Sequence, residues 1–243
     1  MGPMTHTGVA DLHCHTNHSD GWPSPQAVID RVRWAGHLDT IAITDHDTVE
    51  GALIARDYAA TVADAPFVIV GEEVSSRDGH IIGLFLRHHV PPGMPAEVTV
   101  AAIHEQGGIA IAAHPCWRVE RPGGGEGKIH GVGWIAARVR FDAIEVENAT
   151  PGMYLYNQMA HRMQEELGLP QVGNSDAHIL DAIGRAYTVY PGHGEADLRA
   201  AILDGTTEAR RLRYQPRGLA LYAAYTLHRQ AVKRAARVAA ASR

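Results

Sequence analysis

The sequence predicts an α/β fold of repeated βα units around a mainly parallel sheet, and three observations predict it. Its 243 residues, 45% of them hydrophobic, can bury the core of a single α/β barrel. Short runs rich in Val and Ile alternate with longer segments of helical period, as crossover connections require. Polar residues able to bind metals recur where the apolar runs stop, which in a parallel barrel is one shared rim.

Strands are expected at residues 9–13, 40–44, 67–71, 81–86, 109–113, 143–147 and 171–173, with an eighth at 186–190. The first helix is punctuated by its own residues: Ser24 is an N-cap, Pro25 takes the first helical position and Gly36 closes the end. Helices at 96–106, 156–167 and 195–203 each stop at or near a glycine, at Gly107, Gly168 and Gly205. Residues 122–127, rich in glycine, are expected as a loop. A terminal helix is expected over 217–243, where Leu221, Tyr225, Val232 and Ala235 share a face and Arg229, Lys233 and Arg237 recur four apart.

Charge divides the chain into a body, residues 1–208, and a basic helical tail, residues 209–243. No acid follows Glu208 and nine basic residues do, so the remaining 13 basic and 27 acidic residues leave the body at −14. That acidity speaks against extended nucleic-acid binding. No apolar run is long enough to span a membrane, and the start MGPMTHTG lacks the pattern of a secretory signal, so the expected address is the cytoplasm. Cys14 and Cys116 do not stand at disulfide-framework spacings and are expected as free thiols.

The 16 histidines carry the functional signal, because neutral imidazole is the commonest protein ligand for transition metals. His13 and His15 follow the first strand, Asp45 and His46 the second, Glu72 and Glu73 the third and His114 the fifth. Glu147 ends the sixth strand, and Asp176 and His178 follow the seventh. Residues two apart in extended chain point the same way, so His13 faces with His15. One His-x-His pair is weak evidence. So many ionisable groups beneath one rim would be desolvated and unpaired without cations, which makes metal binding the economical reading. Imidazoles and carboxylates without clustered thiolates suit Zn, Mn or Fe(II), and several such cations close together would clamp a phosphate for hydrolysis.

Seven strings in order resemble the PHP domain, named for polymerase and histidinol phosphatase: DLHCHTNHSDG from Asp11, ITDHDTVEG from Ile43, VGEEVSS from Val70, GHIIGLFL from Gly79, AAHP from Ala112, IEVENA from Ile144 and GNSDAH from Gly173. The resemblance covers the chain from Asp11 to about Leu203. It implies a distorted seven-stranded (β/α) barrel and a phosphoesterase with two or three divalent metal ions. By resemblance, His13, His15 and Asp176 bind the first metal with a bridging glutamate. The string GEEVSS selects Glu73 over Glu72 as that bridge. His80 and His114 would join Glu73 around a second metal, and Asp20, His46 and His178 would hold a third. All nine ligand positions are filled, as expected of an active hydrolase rather than of the structural modules found in some polymerases.

The implied reaction is hydrolysis of a phosphate monoester by a metal-bridging hydroxide, with Glu73 and Asp45 as catalytic residues. Asp45 is expected either to orient His46 or a neighbouring ligand, or to cap a helix. Arg118 and Arg185 are candidates for gripping the substrate phosphate, their alternative role being solvated surface pairing. Ten further histidines are expected at the surface or behind the ligands, with His18 the leading exception. The chain has only a linker and one helix between GHIIGLFL and AAHP, where some relatives insert a helical subdomain. The expected partner is a small phosphorylated metabolite or nucleotide. Alternatives are a nuclease trimming single-stranded ends, a non-catalytic metal-binding module, and a related barrel that hydrolyses a carbon–nitrogen bond.

Overall fold

A computed structural model describes residues 6–119 and 129–241, so the loop expected at 122–127 lies outside the described residues. The elements run β1 (Thr7–Asp11), α1 (Pro25–Ala35), β2 (Thr40–Ile43), α2 (Glu50–Ala59), β3 (Phe67–Ser76), β4 (Gly79–Leu84), α3 (Ala96–Glu105), β5 (Ile109–Ala112), β6 (Ala143–Asn148), α4 (Tyr154–Leu167), β7 (Gln171–Asn174), β8 (Ala186–Pro191), α5 (Gly194–Leu203), β9 (Glu208–Arg211) and α6 (Pro216–Ala241). Among the described residues no helix is long and apolar enough to cross a membrane.

The strands form one sheet in the order β7-β6-β5-β4-β3-β2-β1-β8-β9. β1, β2 and β3 are parallel, as are β5, β6 and β7, while β4 and β8 run against their neighbours. The sheet curls until its ends meet. Thr188 Oγ1 accepts from Gly173 N at 3.1 Å and donates to Gly173 O at 2.9 Å, and Thr207 Oγ1 donates to Gln171 O at 2.6 Å. Gly173 suits this seam because a Cβ there would stand 2.8 Å from the Tyr187 carbonyl oxygen. At the mouth, Cys14 and Ala177 form a parallel bridge that joins the chain beyond β1 to the chain beyond β7.

This is the α/β barrel that the sequence predicts, with nine strands in place of seven. β8 is the eighth run expected from the pattern. β9 escaped it because three of its four residues are charged and only Ala209 is even half-buried, so backbone pairing with β8 defines it. α2 was also not expected: Val49 makes no side-chain cap bond and Ala60 ends the helix in right-handed geometry, so neither terminus carries a signal. α1 matches its punctuation, with Ser24 Oγ accepting from Ala27 N and Gly36 left-handed at φ 65°.

Two apolar layers hold the barrel. Inside it, Leu12, Ile69, Ile82, Leu84, Ile109, Ile111 and Val172 fill the lumen together with Leu198, Ala201 and Ile202 of α5. Pro191 of β8 pairs with Thr7, so α5 follows at the N-terminal end of the parallel strands and closes it. Outside the barrel, Val28, Ile29 and Val32 of α1, Ala52 and Ala55 of α2, Val100 and Ile103 of α3 and Ala160 and Met163 of α4 cover the alternate strand residues. Burial of such side chains is worth about 1.5–3 kcal/mol each before chain entropy is counted. Tyr222 and Tyr225 of α6 belong to this outer layer, and the expected division between residues 208 and 209 falls within β9.

Candidate metal centre

The open, C-terminal end of the parallel strands holds a cavity of about 630 Å³ lined by Asp20, His46, Glu73, His80, His114, Asp176 and His178 among others. β3 carries its central residue. The strand continues to Ser76, so Glu72 and Glu73 lie inside it and alternate faces rather than following its end. Glu73 points into the barrel mouth. Glu72 points out, where it accepts from His89 Nδ1 at 2.7 Å and Val90 N at 2.9 Å.

Five imidazoles converge on the Glu73 carboxylate. Oε2 lies 3.2 Å from His13 Nε2, 3.3 Å from His15 Nε2 and 3.3 Å from His46 Nδ1, while Oε1 lies 2.7 Å from His80 Nδ1 and 2.9 Å from His114 Nε2. Asp176 Oδ1 faces His15 Nε2 at 3.2 Å and His13 Nε2 at 3.6 Å. Asp20 Oδ1 faces His178 Nε2 at 3.0 Å and His15 Nδ1 at 3.7 Å. Four groups of residues each offer ligand atoms within 4.8 Å of one another: His15, Asp20, His46 and His178; His13, Glu73 and His114; His13, His15 and Asp176; and His46, Glu73 and His80.

The donor set fits cations. His13 Nε2, both nitrogens of His15, His46 Nδ1 and His114 Nδ1 are buried without a hydrogen-bond partner, a state that proteins rarely leave uncompensated. Burial opposes the charges of Glu73 and Asp176, yet the surrounding imidazoles hold both carboxyls well below the usual range. His15 answers them: burial alone would depress it, but Asp176 and Glu73 raise it to about 10. Burial brings His46 down to about 4.

A second row of residues fixes these ligands. Glu145, fully buried, accepts from His13 Nδ1 at 3.0 Å, His114 N at 2.8 Å, Asn148 Nδ2 at 3.0 Å and Asn174 Nδ2 at 2.9 Å. A carboxylate can only accept, so Nδ1 of His13 carries the proton and Nε2 faces Glu73. His178 Nδ1 donates to the Asp176 carbonyl at 2.9 Å, which likewise leaves Nε2 toward Asp20. Asn148 Nδ2 and Thr150 Oγ1 donate to Asp176 Oδ2 at 3.1 and 3.2 Å, leaving Oδ1 for His13 and His15.

Asp45 acts on a loop and not on His46. It accepts from Thr16 N at 2.7 Å, Thr16 Oγ1 at 2.6 Å and Ser19 Oγ at 2.5 Å, which fastens the turn that bears Asp20. Gly51, at the start of α2, permits this approach, since a Cβ there would stand 2.2 Å from Asp45 Oδ2. Asp47, His114, Arg118 and Asp176 all line the cavity and all have positive φ, a strained state for non-glycine residues that clusters at functional sites.

Arg118 lines the cavity. Arg185 does not: it borders a separate groove with Arg31, Trp34 and His37, and Asp181 O accepts from its Nε at 3.2 Å. The turn after His178 carries it outward. His18 lies against Glu50 at 3.7 Å and is absent from the cavity wall, where His130 stands instead, stacked on Trp117 with ring centroids 4.3 Å apart.

The family model described as PHP-associated matches residues 155–207. An uncharacterized protein of Methanocaldococcus jannaschii is 35% identical over 117 residues, 44% of this chain and 67% of that protein. The chain belongs to the PHP family. A two-domain protein from Bacteroides vulgatus containing a predicted PHP-like metal-dependent phosphoesterase shares the PHP fold, with a TM-score of 0.69 and 21% identity over 86% of this chain and 66% of that one. The 5'-3' exoribonuclease Rnm of Escherichia coli is 35% identical over 88 residues, which are 35% of this PHP chain and 30% of the exoribonuclease.

Sequence reasoning missed Glu145, Asn148, Asn174 and Arg229 of this PHP site. Glu147 was the acid expected at the sixth strand, but it accepts from Asn157 Nδ2 at 2.9 Å and pairs with His161 at 3.0 Å, on the side of α4. A register shift in the β6–β7 pairing between Glu145 and Glu147 breaks the alternation that would have turned both acids the same way. Arg229 comes from α6, and its side chain reaches Asp20 Oδ2 at 2.5 Å.

Proposed function

We propose that this protein is a metal-dependent phosphoesterase that hydrolyses the phosphate monoester of a small phosphorylated metabolite or nucleotide. The observation that carries the reading is the Glu73 carboxylate shared by five imidazoles, several with orphaned buried nitrogens. His13, His15, Asp176 and Glu73 would hold one cation, Glu73, His80 and His114 a second, and Asp20, His46 and His178 a third. Their chemistry suits Zn, Mn or Fe(II). When bound, such cations supply a water-derived nucleophile near neutral pH and neutralise charge on a phosphoryl group.

The chain's own residues do the positioning. Glu145 and the Asp176 carbonyl fix the tautomers of His13 and His178. Asn148 and Thr150 aim Asp176, and Asp45 holds the turn that presents Asp20. Arg118 stands on the cavity wall, where its guanidinium would bind a phosphate oxygen. No side-chain nucleophile is required.

Metal-stripped protein should not hydrolyse p-nitrophenyl phosphate, and Mn, Zn or Fe(II) should restore turnover. His13→Ala, Glu73→Ala and Asp176→Ala should each abolish it, and normal turnover in all three variants would overturn the reading. A nuclease acting on single-stranded ends is the second reading, supported by the resemblance to the exoribonuclease and by the aromatic stack of Trp117 and His130 at the cavity wall. Faster cleavage of a 5′-phosphorylated oligoribonucleotide than of a nucleoside monophosphate would favour it. Tight metal binding with no turnover on either would favour a non-catalytic module.

A further inference from the structure

The charge pattern sets the C-terminal segment apart as a basic tail. The structure gives its helix a different position. Tyr222, Tyr225, Thr226, Arg229 and Gln230 of α6 form one wall of the cavity. Tyr222 and Tyr225 are buried, and Trp22 meets Tyr225 edge-on with ring centroids 5.4 Å apart.

Two polar contacts that α6 makes in the wall end on one residue. Arg229 Nη1 donates to Asp20 Oδ2 at 2.5 Å, and Tyr225 Oη donates to the Asp20 backbone carbonyl at 2.9 Å. Arg229 Nη1 also lies 3.1 Å from Tyr225 Oη, which ties the two together. Asp45 fastens the preceding residues Thr16 and Ser19 but does not touch the Asp20 carboxylate. With Arg229 on Oδ2, which also lies 3.7 Å from His46 Nε2, Oδ1 is the oxygen turned toward His178 and His15.

We propose that Arg229 is a positioning residue for the outer cation group, and that docking of α6 and loading of the group formed by His15, Asp20, His46 and His178 are coupled. The proposal rests on the metal-dependent reading above. A carboxylate rotor on a turn has two equivalent oxygens and a free torsion. A charge-assisted bond that occupies one oxygen removes that freedom and presents the other. Linkage then works in both directions: if docked α6 favours the cation, the cation favours docked α6. Toward the inner groups α6 reaches only as far as Tyr222 beside Thr150, whose hydroxyl donates to Asp176 Oδ2, so its link there is indirect.

The test uses the full chain, stripped of metal and titrated with Mn²⁺ or Zn²⁺, with bound metal counted by mass spectrometry and affinities read by calorimetry. Wild type should bind in at least two classes. Arg229→Ala should weaken the outer class by about 10–100-fold and leave the inner class unchanged, Arg229→Lys should recover part of the loss, and metal should raise hydrogen-exchange protection of the α6 amides in wild type. If Arg229→Ala does not fold, Tyr225→Phe, which removes the bond to the Asp20 carbonyl, should weaken the same class in milder form. Wild type that binds no metal would sink the metal-dependent reading itself. Wild type that loads normally while the variant shows the same stoichiometry and affinities, with only KM raised, would make Arg229 a substrate contact and overturn this proposal alone.

Discussion

Around His13, Glu73, His114 and Asp176 the side chains are almost wholly buried and lean on strand-borne partners, whereas Asp20, His46 and His178 are more exposed and lean on a turn and on a helix near the far end of the chain. The side chain of Glu73 is 1% exposed and that of His46 is 26%. Geometry in the inner half is therefore supplied by the barrel itself, through pairing that must form for the fold to exist. In the outer half it depends on separate local events, the Asp45-bound turn and the seating of α6. Precision in a site follows the rigidity of what carries it.

Replacing the shared carboxylate should break both halves at once. Glu73→Gln puts amide hydrogens against imidazoles and removes the one charge shared by two of the four ligand groups, so bound metal should collapse and turnover fall below detection. Near-normal turnover would mean the halves do not share a centre. Glu145→Ala should damage the inner half selectively. It strands the His114 N–H and two buried asparagine amides at about 1–3 kcal/mol per group, visible as a lower Tm, and inner-class metal affinity should drop about 10–100-fold. Asp45→Ala is the converse, freeing Thr16 and Ser19 and weakening outer-class binding alone in the same titration.

A pH series sharpens the comparison further. His15 has an ordinary value of 6.5 and is raised in the fold to about 10, because carboxylate contacts outweigh its burial. Its contribution to metal-free stability is thus complete below pH 6.5 and is lost as pH climbs toward 10. Metal requires the neutral ring, so cation affinity should rise over the same window in which the stripped protein's Tm falls. Parallel trends in both measurements would contradict this. The smallest effect is expected from Arg185→Ala: kcat and KM should not move, with a stability loss on the order of 1 kcal/mol from its bond to the Asp181 carbonyl. A raised KM would restore Arg185 to the site.

Much of the architecture was legible because it rests on local signals. Val and Ile runs marked the strands, and Ser24, Pro25 and Gly36 marked α1 with the expected cap geometry. α2 carries neither cap signal, and β9 is charged and held by backbone pairing, so period and composition passed over both. Seven of the nine ligand candidates were legible as residues beside apolar runs, while Asp20 and His80 came only from the family resemblance, and all nine meet within one cavity or directly beneath it. What stayed hidden depends on tertiary placement. Glu145 rather than Glu147 faces the centre because of one register shift, and Arg229 reaches Asp20 from 209 positions downstream only because α6 folds back. Arg185 shows the reverse error, in which closeness to a ligand in sequence did not bring closeness in space.

The lumen below the ligands is packed solid with Ile, Leu and Val, and α5 seals the far end. A vessel plugged at its base has a single doorway. Whatever reacts there must arrive and depart on the same side, so a leaving product obstructs the next arrival, and inhibition by product should be competitive.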